Sequence, residues 1–227
     1  MPFITVNNVN LYYEEEGRGE PLLMIQGLGY DHRPFAWLRA GLKEHMRLVL
    51  FDNRGAGRSD APDGPYTVEQ MAGDAAALLG ALGIERAAVL GISLGGSIAQ
   101  MMALRHPDRV GRLIVGCSYF SGNPAKIRMP KETLDILTKR EGTAEQIARR
   151  GLGIAFSDDY PARNPEVFEK LVRWRVQDPI TPEGYFAQLQ AGLGFDVENE
   201  VCNIAAPTLI LHGDADRVVP ADRGREL

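Results

Sequence analysis

The chain has 227 residues, of which 44% are hydrophobic, and its formal net charge is −5 at pH 7. This length and composition predict one large domain with a substantial core and room for an insertion. The negative charge, without any block of Lys or Arg, argues against a nucleic-acid partner, because such binding depends on neutralising phosphates.

The N-terminal residues lack the basic start and apolar run of a signal peptide, and no apolar stretch is long enough to span a membrane. We therefore expect a soluble, cytoplasmic protein without a membrane partner. Cys117 and Cys202 are too few for a disulfide framework and have no metal-ligand spacing. We expect both to be small buried hydrophobic residues, and we expect no metal and no cofactor.

Strands and helices alternate along the first half of the chain. The predicted strands are residues 3–6 and 10–14, joined as a hairpin, then 21–26, 47–52, a run around 89–90, 112–116 and, much later, 207–213. Helices are predicted at 35–43, from Thr67 to Gly83 with Gln70 completing a capping-box signature, and from residue 94 to His106. Continuous apolar runs such as 21–26 are typical of strands buried on both faces.

Composition shifts between residues 118 and 201, where Gly and Pro separate helical segments and no convincing strand occurs. Four helices are predicted there, at 131–139, 144–151, 165–177 and 182–193. The resulting domain prediction is a core α/β domain at 1–120, an inserted helical cap at 121–200, and the core continued at 201–227, incomplete at its C-terminus.

This alternation predicts right-handed crossovers and a mostly parallel sheet, so ligand chemistry is expected at the carboxyl ends of the strands. Gln26-Gly27, Asp52 and Ser93 all fall at such ends. We expect Asp52 to hold the polar loop that follows it rather than to act in catalysis.

Residues Gly91-Ile92-Ser93-Leu94-Gly95 fit the nucleophile-elbow pattern, in which a serine occupies a strained strand-to-helix turn. Glycines flank it because no Cβ fits between the strand and the helix. The alternative is a merely structural glycine-rich turn.

Together with Gln26-Gly27-Leu28-Gly29, residues 52–59 and Gly213-Asp-Ala-Asp216, this elbow resembles the α/β-hydrolase family, in particular its capped esterases and lactonases. The resemblance extends along the whole chain, although Gln26 stands where histidine is commoner. It implies an α/β-hydrolase fold: a mostly parallel twisted sheet, flanked by helices, with an inserted helical cap.

The resemblance also implies a serine hydrolase that cleaves a small ester or lactone through an acyl-enzyme. The apolar composition of the predicted cap favours an uncharged or weakly acidic substrate. Ser93 matches the nucleophile and Asp216 the acid of the triad, with Asp214 as its rival. The backbone N–H groups of Leu28 and Leu94 match the oxyanion hole. Homo-oligomer formation stays open, as do two alternatives: a cofactor-free lyase or haloperoxidase-like enzyme, and a non-catalytic ligand-binding module.

The general base is missing from the predicted order, because the histidine should follow Asp216 and none does. Of the four histidines, His212 lies beside the acid loop and His32 lies on the proposed oxyanion loop, whereas the other two are expected at the surface. We expect that the chain is cut short before its histidine and is nearly inactive as printed. The alternatives are completion by another chain and a domain that is no longer catalytic. A lost last strand would also leave residues 208–211 as an exposed apolar edge.

Overall fold

The computed structural model describes residues 2–227 and contains one seven-stranded sheet. Its strands are β1 (Phe3–Val6), β2 (Val9–Glu16), β3 (Glu20–Ile25), β4 (Met46–Phe51), β5 (Ala87–Ile92), β6 (Val110–Gly116) and β7 (Thr208–Leu211). The strand order is β1-β2-β4-β3-β5-β6-β7. Strands β1 and β2 form an antiparallel hairpin and β2 runs antiparallel to β4, whereas all the other pairs are parallel. The predicted hairpin and the mostly parallel sheet are confirmed.

Ten α-helices accompany the sheet within the described residues. They are α1 (Ala36–Leu42), α2 (Val68–Ala81), α3 (Leu94–Arg105), α4 (Pro124–Ile127), α5 (Lys131–Thr138), α6 (Ala144–Gly153), α7 (Tyr160–Arg163), α8 (Pro165–Gln177), α9 (Pro182–Leu193) and α10 (Ala221–Glu226). The Thr67 side chain caps α2 by accepting from the Gln70 N–H, as the sequence predicted.

The central strands are buried on both faces because successive side chains of a strand point in opposite directions. In β3, Leu23 and Ile25 pack into the large core under α2 and α3, whereas Leu22 and Met24 pack into a smaller cluster beside Phe35 on the other face. This explains the continuous apolar run that predicted the strand. Because both faces of the sheet are buried, the loops of the candidate site lie at the edge formed by the carboxyl ends of the strands.

Residues 124–193 form the helical layer over the carboxyl ends of the strands. The four helices predicted in this segment are present, and the structure adds the single-turn helices α4 and α7. The two ends of the layer lie side by side, because Ser121 bridges Asp196 and the Val197 N–H donates to Phe120 O at 2.8 Å.

The expectation for the cysteines is wrong. Cys202 is exposed and Cys117 is only partly buried. Cys202 lies in a 3₁₀ turn, Val201–Asn203, on the surface. Cys117 follows β6 with a φ of +47°, at the carboxyl edge of the sheet, where it borders the cavity described below.

Strand β7 is an edge of the sheet and pairs only with β6 among the described residues. Its Leu209 and Leu211 are 52% and 49% exposed, and such an edge invites further strand pairing. No helix among residues 2–227 is both long enough and apolar enough to cross a bilayer.

Candidate active site

Ser93 occupies the turn between β5 and α3 with φ +54° and ψ −122°. A non-glycine residue in that region costs about 1–3 kcal/mol and persists only when its surroundings hold it there. The Ser93 N–H donates to Gly116 O at 2.8 Å, and the Ser118 hydroxyl donates to Ser93 O at 2.8 Å. These two bonds hold the Ser93 peptide at the end of the neighbouring strand.

The flanking glycines are required by contact between the helix and the strands. A methyl group on Gly91 would lie 2.1 Å from Gly95 O, and one on Gly95 would lie 2.2 Å from Ile25 O. Both distances are far inside van der Waals contact. The G-x-S-x-G spacing therefore reflects backbone packed directly on backbone at this turn.

The loop after β3 lies against the serine. A methyl group on Gly27 would lie 3.1 Å from Ser93 Cβ and 3.6 Å from Ser93 Oγ. Gln26 is buried and holds this loop, because its Oε1 accepts from the Gly27 N–H at 3.2 Å and its carbonyl accepts from the Asn53 amide at 3.1 Å. Glutamine thus substitutes for the commoner histidine with local hydrogen bonds.

The backbone N–H groups of Leu28 and Leu94 donate to no protein acceptor within residues 2–227. The Leu94 N–H is the first of α3, at the positive end of the helix dipole. Leu28 and Leu94 line the same cavity as Ser93. Unpaired N–H donors beside a hydroxyl can stabilise negative charge that develops on the oxygen of a bound molecule, by donating hydrogen bonds to it.

Asp216 lies in the turn after β7 and lines that cavity, whereas Asp214 is exposed and does not. The Oδ1 atom of Asp216 accepts from the N–H groups of Val218 and Val219 at 2.8 and 2.9 Å. Its Oδ2 lies 3.5 Å from His212 Nε2. The backbone bonds fix the orientation of the carboxylate.

None of the histidines borders this cavity in the part of the chain that the structure describes. His212 Nε2 lies 2.8 Å from Val219 O, an acceptor, so this nitrogen carries the proton. His212 Nδ1 is buried without a partner among residues 2–227 and faces Gly224, where a methyl group would lie only 2.3 Å away. The ring therefore packs under α10, behind the acid turn.

His32 is buried between two carboxylates, away from the cavity. Its Nδ1 lies 2.7 Å from Asp52 Oδ1, and its Nε2 lies 3.2 Å from Glu14 Oε1. Burial by itself would lower the pKa of His32, but the hydrogen bond and charge of Asp52, with the charge of Glu14, outweigh it and raise that pKa. Through these two contacts His32 ties β2 to the loops after β3 and β4.

Asp31, His32 and Asp52 are also the one group with the ligand types of a metal site among residues 2–227, their ligand atoms lying within 4.8 Å of one another. Each is already engaged, since Asp31 accepts from Arg33 Nε at 2.9 Å and Asp52 accepts from the N–H groups of His32 and Arg58. We therefore assign this cluster to the structure of the loop, as the sequence predicted for Asp52.

The cavity has a volume of about 340 Å³ and lies between the sheet edge and the helical layer of residues 124–193, the segment that the sequence analysis predicted as a cap and that is called the cap below. Aliphatic residues of the cap are the largest group in its wall, which also contains the aromatic residues Tyr30, Tyr119, Phe156 and Tyr185. Arg140 and Arg175 also line the wall, and the sequence analysis missed both, because neither belongs to a motif.

The sheet order and the strained turn define an α/β enzyme scaffold, and comparison with known proteins gives its family. The profile described as the alpha/beta hydrolase fold matches residues 20–152. The chain belongs to the α/β-hydrolase family.

Named relatives agree with this membership. The chain is 28% identical to 3-oxoadipate enol-lactonase 2 of Acinetobacter baylyi, covering 99% of this chain and 82% of that protein. The crystal structure of the enol-lactonase from Burkholderia xenovorans LB400 superposes with a TM-score of 0.87 at 30% identity, covering 99% and 86%. A hydrolase from Pseudomonas aeruginosa PA01 gives a TM-score of 0.86 at 27% identity, covering 99% and 84%. The chain is an enzyme of the α/β-hydrolase type.

Proposed function

We propose that this protein hydrolyses a small carboxylic ester or lactone, with Ser93 as the nucleophile. The observation that carries the proposal is the position of Ser93, on a strained turn against Gly27 and beside the unpaired N–H groups of Leu28 and Leu94. The lactonases among the similar proteins give further support.

In this proposal the Ser93 oxygen attacks the acyl carbon while its proton passes to a histidine base. The carbonyl oxygen becomes negative and accepts from the N–H groups of Leu28 and Leu94. Collapse of the tetrahedral intermediate breaks the bond to the alcohol or enol oxygen, which takes the proton. Water, deprotonated by the same base, then cleaves the acyl-enzyme and restores Ser93.

Asp216 orients the histidine and stabilises its protonated form. Its fixed Oδ1 leaves Oδ2 as the oxygen for that partner. We propose that the histidine lies outside the 227 residues, because His212 already donates to Val219 O and does not border the cavity. The alternative is His212 itself, which is 3.5 Å from Asp216.

The test is intact-mass spectrometry of the protein as its host produces it, before and after a fluorophosphonate probe. We expect a mass above that of the printed chain and one adduct, which Ser93→Ala abolishes and the exposed control Ser157→Ala retains. An adduct on a chain of the printed mass would reassign the base to His212 or to a partner chain. No adduct, or one that survives Ser93→Ala, would overturn Ser93 as the nucleophile.

A further inference from the structure

Two arginines project from different parts of the cap into the wall of the Ser93 cavity. Arg140 follows α5, and Arg175 lies near the end of α8. The Arg175 guanidinium lies close to Gly29 and Gly151. A methyl group on Gly29 would lie 3.4 Å from its Nη2, and one on Gly151 would lie 3.5 Å from its Nη1. Gly29 directly follows Leu28, so this positive charge borders the proposed oxyanion loop.

Neither guanidinium has an acidic partner in the described part of the chain: no carboxylate oxygen of residues 2–227 lies within 4.0 Å of Arg140 or Arg175. Arg33, close by, shows the usual arrangement, since it pairs with Asp31 and with Asp178 at 2.8 Å. Two partly buried cations without counter-ions are unusual, because removing charge from water is unfavourable unless it is compensated.

Aromatic rings hold both guanidinium groups in position. Arg140 Cζ lies 3.9 Å from the centroid of Tyr185, and Arg175 Cζ lies 4.2 Å from the centroid of Tyr30. Tyr185 is itself fixed by donating from its hydroxyl to Leu137 O at 3.0 Å. Ring stacking engages the face of a guanidinium and leaves its N–H edge available to an acceptor.

The two charges also act on each other. Burial lowers the pKa of Arg140, and the neighbouring charge of Arg175 lowers it further. Arginine side chains carry a permanent positive charge in proteins. An anion between them would remove the mutual repulsion and pair the free N–H edges.

We infer that Arg140 and Arg175 form a binding site for a carboxylate, so that the ester or lactone proposed above carries an acidic group. The inference deepens the proposed function and rests on it for the identity of the reaction, but the anion site itself does not depend on turnover. Planar guanidinium groups match the two oxygens of a carboxylate. Since adjacent Cα atoms are ~3.8 Å apart, the positions of Gly29 and Leu28 favour a short spacer between the carboxylate and the scissile carbonyl.

Binding to the full protein carrying Ser93→Ala tests this without hydrolysis. Isothermal titration calorimetry compares monomethyl glutarate, which is anionic, with dimethyl glutarate, which is neutral. We expect the anion to bind about ten- to a hundredfold more tightly, as for charge-assisted hydrogen bonds. The preference should decrease as salt is added.

Variants in the Ser93→Ala background assign the preference to its residues. Arg140→Gln and Arg175→Gln should each remove most of it, and Arg175→Lys should keep part of it because the charge remains. Arg173→Gln is the matched control, since Arg173 is exposed on the same helix and absent from the cavity wall. It should leave both affinities unchanged.

Equal affinity for the two probes would overturn the inference, as would glutamine variants that weaken both probes by the same factor; the arginines would then serve only to pack against the tyrosines. Thermal unfolding of each variant identifies losses of affinity caused by misfolding. If the glutamine variants misfold, the comparison that decides is the anion preference of Arg175→Lys, which keeps the charge, against that of the parent protein. Failure of the fluorophosphonate test together with a retained anion preference would overturn the proposed reaction and leave the carboxylate site standing.

Discussion

Substitution of Gly95 by alanine tests whether contact between backbones positions the nucleophile. The added methyl group would lie 2.2 Å from Ile25 O and 2.7 Å from Gln26 O, whereas an ordinary carbon–oxygen contact is about 3.3–3.6 Å. Both oxygens are backbone atoms, of β3 and of the loop after it, so no side-chain rotation relieves the overlap. The first turn of α3 must move by roughly 1 Å, and Ser93 moves with it.

Two effects are therefore expected from Gly95→Ala. Overpacking costs about 1–3 kcal/mol, which in a chain of this size lowers Tm by about 2–4 °C for each kcal/mol. A displacement of about 1 Å also lowers kcat/KM by about a hundredfold. Tm is measured by circular dichroism, and kcat/KM by hydrolysis of a chromogenic short-chain ester with the protein as its host produces it.

Gly41→Ala provides the matched control, because Gly41 also lies in a helix and a methyl group there would meet nothing within 4 Å. It should stabilise the protein by about 0.5–1 kcal/mol through helix propensity and leave hydrolysis unchanged. A Gly95→Ala protein with wild-type Tm and wild-type kcat/KM would refute the argument that backbone contact fixes the elbow.

Three further predictions concern charged groups. Asp216→Asn should lower kcat by about 10³–10⁴-fold while exposed Asp214→Asn has little effect; the reverse ranking in kinetic assays would reassign the acid. Because the folded-state pKa of His32 is raised, its stabilisation is complete below its unfolded pKa of about 6.5 and is lost as pH rises through the folded value. The Tm difference between wild type and His32→Gln should thus be larger at pH 6 than at pH 9, and equal differences would contradict this. Asp74→Ala strands the buried Arg54, which it binds at 2.6 Å, and should cost about 3–5 kcal/mol; urea unfolding showing less than about 1 kcal/mol would count against it.

The core of the fold was predictable because its determinants are local. Apolar runs such as residues 21–26 are long enough for strands and too short for helices, and β-strand crossovers have a fixed hand. The elbow was recognisable because its glycines and serine lie within five residues of chain, although only the Gly91 contact, with Gly95 O, is local, and Gly95 itself packs against Ile25 O of β3.

The wall of the cavity was not predictable, because its special features come from tertiary packing. Arg140, which follows a predicted helix, and Arg175, which lies within one, look like ordinary surface residues, and only the folded chain shows that no carboxylate reaches them. Cys202 misled the analysis in the opposite direction: a residue type that is usually buried lies on an exposed turn. The pairing of His32 with Glu14 joins segments that nothing in the local pattern connects.

The adjacent ends of the cap have a consequence for how such enzymes diversify. Phe120 and Val197 are joined by a backbone hydrogen bond, and Ser121 bridges Asp196. A segment that leaves and re-enters the sheet at one place can be exchanged, lengthened or shortened with little effect on the scaffold beneath it.

The groups proposed to carry the reaction, by contrast, lie on the scaffold, and two of them are backbone N–H groups rather than side chains. Genetic recombination at residues 120 and 197 would thus replace Arg140 and Arg175 together, in one event. On the proposals above, such an exchange would change the anion preference of the cavity in one step and leave Ser93 and its surroundings in place.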